Sequence, residues 1–182
     1  MTTTQKDLDL IHKSIRVIPD WPEKGVSFRD ITTLLQDPLA FHKVIEILLC
    51  RYKDKGIDVV AGLDARGFIF GPVLAYELGV GFVPIRKKGK LPFQTYAESY
   101  TLEYGDVTTV EIHTDAFKPG DNVLIIDDLI ATGGTMLASC KLIKRLGGNV
   151  YECAVVNDLL YLGGSQAIRN EGFKVYSILE HK

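Results

Sequence analysis

Asp127 and Asp128 stand side by side at the end of an apolar run, Val123 to Ile126, and the small polar stretch Ala131-Thr132-Gly133-Gly134-Thr135 follows almost at once. Paired carboxylates are strong acceptors, suited to two neighbouring sugar hydroxyls. Glycines allow close backbone approach to a ligand, and threonine hydroxyls add donors. A helix starting at such a turn offers free N–H groups and a dipole that favour an anion. The chemistry implied is a phosphate site with a sugar site beside it. Two commoner phosphate loops are excluded. The Walker pattern needs a lysine after its second glycine, and none follows Gly134. The dinucleotide fingerprint follows a strand, whereas the nearest approach, Gly79-Val-Gly81-Phe-Val-Pro84, precedes one and ends in proline.

The elements that must hold these groups can be read from periodicity. Val123–Ile126 suits a strand buried on both faces. Alternation along a strand turns Asp127 and Asp128 to opposite faces, so they cannot do identical jobs. From Met136 the spacing becomes helical, with Met136, Cys140, Ile143 and Gly147 on one face and Lys141, Lys144 and Arg145 on the other. Upstream, helices are expected over Asp7–Ile18, from Pro38 to about Lys55, and from the Asp64–Gly67 turn to Gly79. Strands are expected over Asp58–Gly62, Val80–Ile85, Val150–Val156 and Phe173–Leu179, with a short helix near Ser165–Asn170. Thr101–Tyr104 and Val107–His113 suit an antiparallel excursion. Strands alternating with helices predict an α/β domain with a largely parallel sheet and helices on both faces.

In that arrangement Arg66, the Arg86–Lys90 run, Asp127–Asp128 and Asn157–Leu160 each follow a strand. Carboxyl ends of parallel strands share one edge, where ligands bind. A second cationic region from Arg66, Lys87 and Lys90 thus faces the anion loop across the acid pair. Such a site suits a sugar carrying phosphate at both ends.

A chain of 182 residues, 46% hydrophobic and 24% charged, fits one domain with a real core. Its net charge of −2 and pI near 6.1 argue against a nucleic-acid partner. Cys50, Cys140 and Cys153 lack paired spacing and fall in apolar stretches, which predicts buried reduced thiols. The four histidines are scattered, and no metal-ligand spacing is seen. The first ten residues are too polar for a signal peptide, and no apolar run is long enough to span a membrane. A cytoplasmic protein is expected.

The 122–135 segment resembles the diphosphate-sugar motif of the type I phosphoribosyltransferases. Gly25–Asp30, Gly62–Gly71, Arg86–Pro92 and Ser99–Gly105 extend the resemblance to the adenine-using members of that family, from about Ile15 to Leu179. The resemblance implies a single phosphoribosyltransferase domain over 1–182, with an N-terminal base-binding segment over about 1–36 and a mobile flap over about 87–105. It implies purine salvage: adenine and 5-phosphoribosyl diphosphate giving AMP and pyrophosphate. Ala131, Thr132, Gly133, Gly134 and Thr135 would hold the 5-phosphate, and Asp127 and Asp128 the ribose hydroxyls. Arg66, in a loop where the family carries a non-proline cis peptide near Asp64-Ala65, would bind pyrophosphate with Lys87, Lys90 and Tyr104. Glu103 would be the general acid/base, with Arg66 assisting the chemistry. Val26, Phe28, Arg29 and Leu159 would surround the base. Mg²⁺ would arrive with the pyrophosphate, with no dedicated metal site, and a homodimer is implied.

Residue by residue, blander readings stay open. Glu103 alone is an ordinary solvated acid, Phe28 alone a core aromatic, and Arg29–Asp30 a plain surface pair. A hypoxanthine, guanine or xanthine enzyme shares the phosphate loop. A non-enzymatic ligand sensor on this fold would want a basic nucleic-acid-binding face, which is missing.

Overall fold

The computed structural model describes residues 3–101 and 107–182. The chain forms two compact units, Met1–Arg51 and Tyr52–Lys182.

In the first unit, α1 (Gln5–Ser14) opens with a capping box in which Thr4 and Asp7 bond each other's backbone N–H groups. The expected helix to Ile18 stops early. Arg16-Val17-Ile18-Pro19 is β-branched and ends in proline, and it forms a strand, β1 (Arg16–Pro19). β1 pairs antiparallel with β2 (Ser27–Asp30), so the Gly25–Asp30 segment is partly regular structure. A short α2 (Thr32–Gln36), not anticipated, precedes α3 (Pro38–Tyr52). Asp37 caps α3 by accepting from the backbone N–H groups of Leu39 and Ala40. Ile11, Leu34, Ala40, Val44 and Leu48 are buried completely.

The second unit is built on a seven-stranded sheet. Its strands are β3 (Val59–Leu63), β4 (Gly81–Lys87), β5 (Thr95–Thr101), β6 (Val107–His113), β7 (Asn122–Ile130), β8 (Asn149–Leu159) and β9 (Val175–His181). The order is β5-β6-β4-β3-β7-β8-β9. β4, β3, β7, β8 and β9 run parallel, and the β5–β6 hairpin joins antiparallel to β4. The expected excursion therefore begins at Thr95 rather than Thr101. The helices are α4 (Gly67–Leu78), α5 (Gly134–Arg145) and α6 (Gly164–Asn170), the last after a 3-10 turn at Leu160–Leu162.

Period-two alternation in β7 explains helices on both faces. Val123 and Ile125 join the core cluster that contains Met136, Cys140 and Ile143 of α5. Ile126 points the other way, where its Cγ2 lies 3.2 Å from the Cβ position of Gly71 in α4. Each of these β7 side chains is fully buried. Truncating one to alanine costs roughly 2–5 kcal/mol. Cys140 and Cys153 are buried with their sulfurs 3.5 Å apart, and Cys153 has its thiol pKa pushed up by that contact and by burial. Cys50 departs from expectation: it lies on the solvent side of the last turns of α3 and is exposed. No helix among the described residues is long and apolar enough to cross a membrane.

Candidate active site

β7 runs through both acids to Ile130, further than the apolar run alone suggests. Neighbours β3 and β8 supply hydrogen-bond ladders as far as Gly62–Ile126 and Asp158–Ile130. Asp128 shares the parity of Ile126 and so faces α4. There its carboxylate, almost wholly buried, accepts from Arg66 Nε at 2.5 Å. Arg66 is the residue before α4, and its side chain is 46% exposed. Asp127 is half-buried, and its Oδ1 lies 3.4 Å from the Cβ position of Gly67 at the start of α4, so alternation does not give the two acids separate surroundings: both line the same two clefts. Asp127 Oδ1 accepts from the Asp128 backbone N–H at 2.9 Å. Burial and then the Asp128 charge push the Asp127 carboxyl well above the usual carboxylate range. A shifted acid in a cleft is a marker of function.

After β7 the chain turns through Ala131–Gly133. Gly133 takes the left-handed conformation at φ +84, and α5 begins at Gly134. The first N–H groups of a helix have no intrahelical acceptor. The first turn of α5 holds no acidic residue, and no side chain caps it. The positive end of the helix therefore faces the cleft without a built-in counter-anion. A cleft of about 220 Å³ is lined there by Arg66, Tyr100, Asp127, Asp128 and residues 129–136.

A second cleft of about 430 Å³ shares Asp64, Arg66, Asp127 and Asp128 with the first and is completed by Ala65, Arg86, Lys87 and Lys90. Arg86 donates to Asp64 at 3.0 Å and to the Lys90 carbonyl at 3.2 Å, and its guanidinium lies over the Phe68 ring. It shapes the turn that carries the two lysines. Gly89 N–H donates to the buried Glu111 carboxylate at 2.9 Å, which ties the turn down. Arg66 and Arg86 are thus partly neutralised by Asp128 and Asp64. Lys87 and Lys90 are exposed and, among the described residues, have no carboxylate partner. Asp64-Ala65 is a cis peptide without proline, as expected.

Of the sequence-predicted residues, the structure brings together Arg66, Lys87, Lys90, Asp127, Asp128 and Ala131–Thr135. Glu103 and Tyr104 lie outside the described residues. Leu159 is buried at the end of β8, beyond the residues lining either cleft. In the first unit, Val26 is exposed before β2, Phe28 packs edge-on against Trp21 at 4.4 Å, and Arg29 follows it in the strand. Asp30 does not pair with Arg29. It accepts from Arg16 and Thr32, which lower its pKa to about 2.

The Asn157–Leu160 cluster differs from its expected display at the sheet edge. β8 continues to Leu159 because β7 and β9 both pair with it, and Asn157 and Asp158 are fully buried. Asn157 shares a hydrogen bond with His181. Burial raises the Asp158 pKa, against the opposing pull of Ser165 and Arg169.

Arg86 was placed at this edge as part of the Arg86–Lys90 run, whereas Asp64, Tyr100 and Gly164 were missed. Asp64 follows the same rule for strand carboxyl ends and could have been found that way. Gly164 packs flush on the Ala131–Gly133 turn: its N–H reaches the Ala131 carbonyl at 3.2 Å, and a Cβ there would strike the turn's backbone. No sequence signal announces that contact.

Comparison with known proteins agrees with this geometry. The family model for the phosphoribosyl transferase domain matches residues 30–167. An adenine phosphoribosyltransferase of Burkholderia cenocepacia is 61% identical over 170 residues, covering 93% of this chain and 90% of that one. The solved adenine phosphoribosyltransferase of Rhodothermus marinus is 46% identical, with a TM-score of 0.89, covering 98% of this chain and 100% of that one. That of Saccharomyces cerevisiae, solved with an imino-altritol bisphosphate and adenine, is 35% identical, with a TM-score of 0.90, covering 97% of this chain and 100% of that one. With a family model over residues 30–167 and this degree of identity, the chain belongs to the phosphoribosyl transferase family, among its adenine phosphoribosyltransferases.

Proposed function

We propose that the protein transfers the 5-phosphoribosyl group of 5-phosphoribosyl diphosphate to adenine, releasing AMP and pyrophosphate in purine salvage. The observation that carries this reading is the order of groups along one edge: anion loop, acid pair, cationic cleft. The 5-phosphate would rest on Ala131–Thr135 at the start of α5. Asp127 and Asp128 would accept from the ribose hydroxyls. Arg66, Lys87, Lys90 and Arg86 would face the diphosphate, joined by Tyr104. A C–N bond forms at the anomeric carbon as the C–O bond to diphosphate breaks, with inversion. The diphosphate leaves with the electron pair, and the ring-nitrogen proton passes to Glu103.

An oxocarbenium-like transition state needs charge in place beforehand more than covalent chemistry. Lys87 and Lys90, without carboxylate partners among the described residues, suit the charge that builds on the departing diphosphate. Val26, Phe28, Arg29 and Leu159 would surround the base, with residues 1–36 as the base-binding segment and 87–105 as a flap, in one functional domain. The yeast relative, whose complex holds a sugar-like bisphosphate and adenine, supports both the double anion site and the choice of base.

Among the described residues, no group of three or more His, Cys, Asp or Glu could hold a metal ion. The cleft offers three acids, Asp64 and Asp128 engaged by Arg86 and Arg66, and Asp127 beside them, against a cationic wall. That donor set fits a hydrated Mg²⁺–diphosphate better than a bare ion. Mg²⁺ would enter with the substrate, keep much of its water and neutralise diphosphate charge. A cytoplasmic homodimer completes the proposal.

The test is pyrophosphate release from 5-phosphoribosyl diphosphate with adenine, hypoxanthine, guanine or xanthine. Recognition of a polar edge supports preferences of roughly 10⁴ or more. Adenine should dominate by such a factor. Comparable kcat/KM with hypoxanthine or guanine would overturn the choice of base.

A further inference from the structure

β5 lays one face along α5. Tyr96, Glu98 and Tyr100 alternate along the strand, and all three are half-buried. Arg145, in the last turn of α5, stacks its guanidinium over the Tyr96 ring at 4.3 Å. Lys141 lies 3.8 Å from Glu98. Tyr100 reaches the first turn, where its hydroxyl lies 2.6 Å from Thr135 Oγ1. The strand thus runs from the far end of α5 to the phosphate loop. The Tyr100 ring also covers Gly134: a Cβ added there would meet Cδ2 of the ring at 2.5 Å.

A hydroxyl carries one proton and two acceptor sites. In the Tyr100–Thr135 pair either oxygen can be the donor. A phosphate dianion in the loop removes that freedom, because it only accepts. Thr135 must then donate to the phosphate, and Tyr100 must donate to Thr135. We infer that Tyr100 is a positioning residue for the 5-phosphate, acting through Thr135, so that the stem of the β5–β6 hairpin reports phosphate occupancy. Hydroxyls chained toward an anion polarise one another, so the second hydroxyl strengthens the first. Tyr100 need not touch the substrate. Its effect belongs to ground-state and transition-state binding alike, because the 5-phosphate does not react. The inference rests on the reading of residues 131–135 as the 5-phosphate loop.

Tyr100→Phe keeps the ring over Gly134 and deletes only the hydroxyl. The probe is ribose 5-phosphate, measured by calorimetry on the whole chain, with the kinetics of 5-phosphoribosyl diphosphate beside it. Losing one hydrogen bond of this kind should raise Kd and KM by roughly three- to tenfold. The thermal midpoint and kcat should stay near wild type. Thr135→Val should weaken binding more, and the double variant should be no worse than Thr135→Val alone, because the two hydroxyls act in series. If wild type does not bind ribose 5-phosphate, the reading of the loop falls and this inference with it. If wild type binds it and Tyr100→Phe binds equally well, the inference alone falls. Fully additive effects of the two substitutions would also overturn it.

Discussion

Arg66 Nε donates to Asp128 Oδ2 at 2.5 Å, a half-exposed guanidinium on a buried carboxylate. One residue was expected to serve pyrophosphate and the other ribose, and in this structure they serve each other. The pair stands where the two clefts meet. A diphosphate that recruits Arg66 would free acceptor sites on Asp128 for ribose hydroxyls, so the two halves of the sugar substrate would be bound in concert.

Removing Arg66 should therefore cost stability as well as rate. An Asp128 carboxylate left buried without its cation is costly, typically about 3–5 kcal/mol for a fully buried pair. Because Arg66 is half exposed, Arg66→Met should cost roughly 1–3 kcal/mol. Asp128→Asn should cost less, since it removes the buried charge itself. Chemical denaturation of both variants checks the order. Equal stability of Arg66→Met and wild type would show that solvent already screens the pair.

Asp127 predicts a pH dependence of opposite sign from an ordinary ion-paired acid. Burial and the Asp128 charge raise its pKa above the usual value of 3.8. A raised pKa means that the folded state holds this proton more tightly than the unfolded chain does. The resulting stability is fully present below pH 3.8 and is lost as pH rises through the folded value. At neutral pH the ligand-free protein carries that cost. Asp127→Asn removes the titrating group and keeps an oxygen to accept from the Asp128 N–H. It should raise the thermal midpoint at pH 7–8, by an amount that shrinks as pH falls, while AMP binding weakens. Scanning fluorimetry across pH 5–8 checks this. A midpoint below wild type at pH 8 would overturn the sign.

How far the site could be read from residues alone depended on sequence distance. The Ala131–Thr135 turn lies within a few residues, and its glycines and threonines suggest an anion site on their own. Period-two alternation separates Asp127 from Asp128 along β7, yet both acids line the same two clefts. The Arg66–Asp128 bond spans 62 positions and depends on β3 lying beside β7, which no local pattern supplies. Asn157 and Asp158 misled because their polarity suggests a strand end, whereas pairing on both sides carries β8 through them. At Arg16–Pro19, β-branching outvoted a helical spacing that continues in Leu8, Ile11, Ile15 and Ile18.

Gly164 tests whether the phosphate loop is held from behind. A Cβ at this position would lie 2.6 Å from Gly133 N and from the Thr132 carbonyl carbon, both backbone atoms that cannot swing aside. Gly164→Ala should therefore displace the loop, raising KM for 5-phosphoribosyl diphosphate by roughly tenfold or more, as even ~1 Å of misplacement can cost 10²-fold. Gly81→Ala is the control, because nothing lies within 4 Å of its Cβ position and its φ is not left-handed. Calorimetry with AMP on both variants separates them. Equal affinity in Gly164→Ala and Gly81→Ala would show that the loop does not rely on this contact.

Glu103 falls between Thr101 and Val107, which are paired across β5 and β6. Its own placement lies outside the described residues, but the stem that carries it is anchored. Arg145, Lys141 and Thr135 meet successive side chains of β5, from Tyr96 to Tyr100. If Glu103 takes the proton as the C–N bond forms, Glu103→Gln should lower kcat by roughly 10²–10⁴. Ribose 5-phosphate affinity should hardly change, since the 5-phosphate is bound elsewhere. The limb of the pH–rate profile that reports the base should disappear. Glu98→Gln is the matched control: it lies on the same strand, but its carboxylate faces Lys141 of α5. That pair, long at 3.8 Å and with Lys141 exposed, contributes little, so Glu98→Gln should keep kcat within about twofold. Single-turnover measurement isolates the chemical step from product release. A Glu103→Gln variant with near wild-type single-turnover rate would return Glu103 to an ordinary solvated acid, and equal losses in both variants would point to the hairpin's packing rather than to proton transfer.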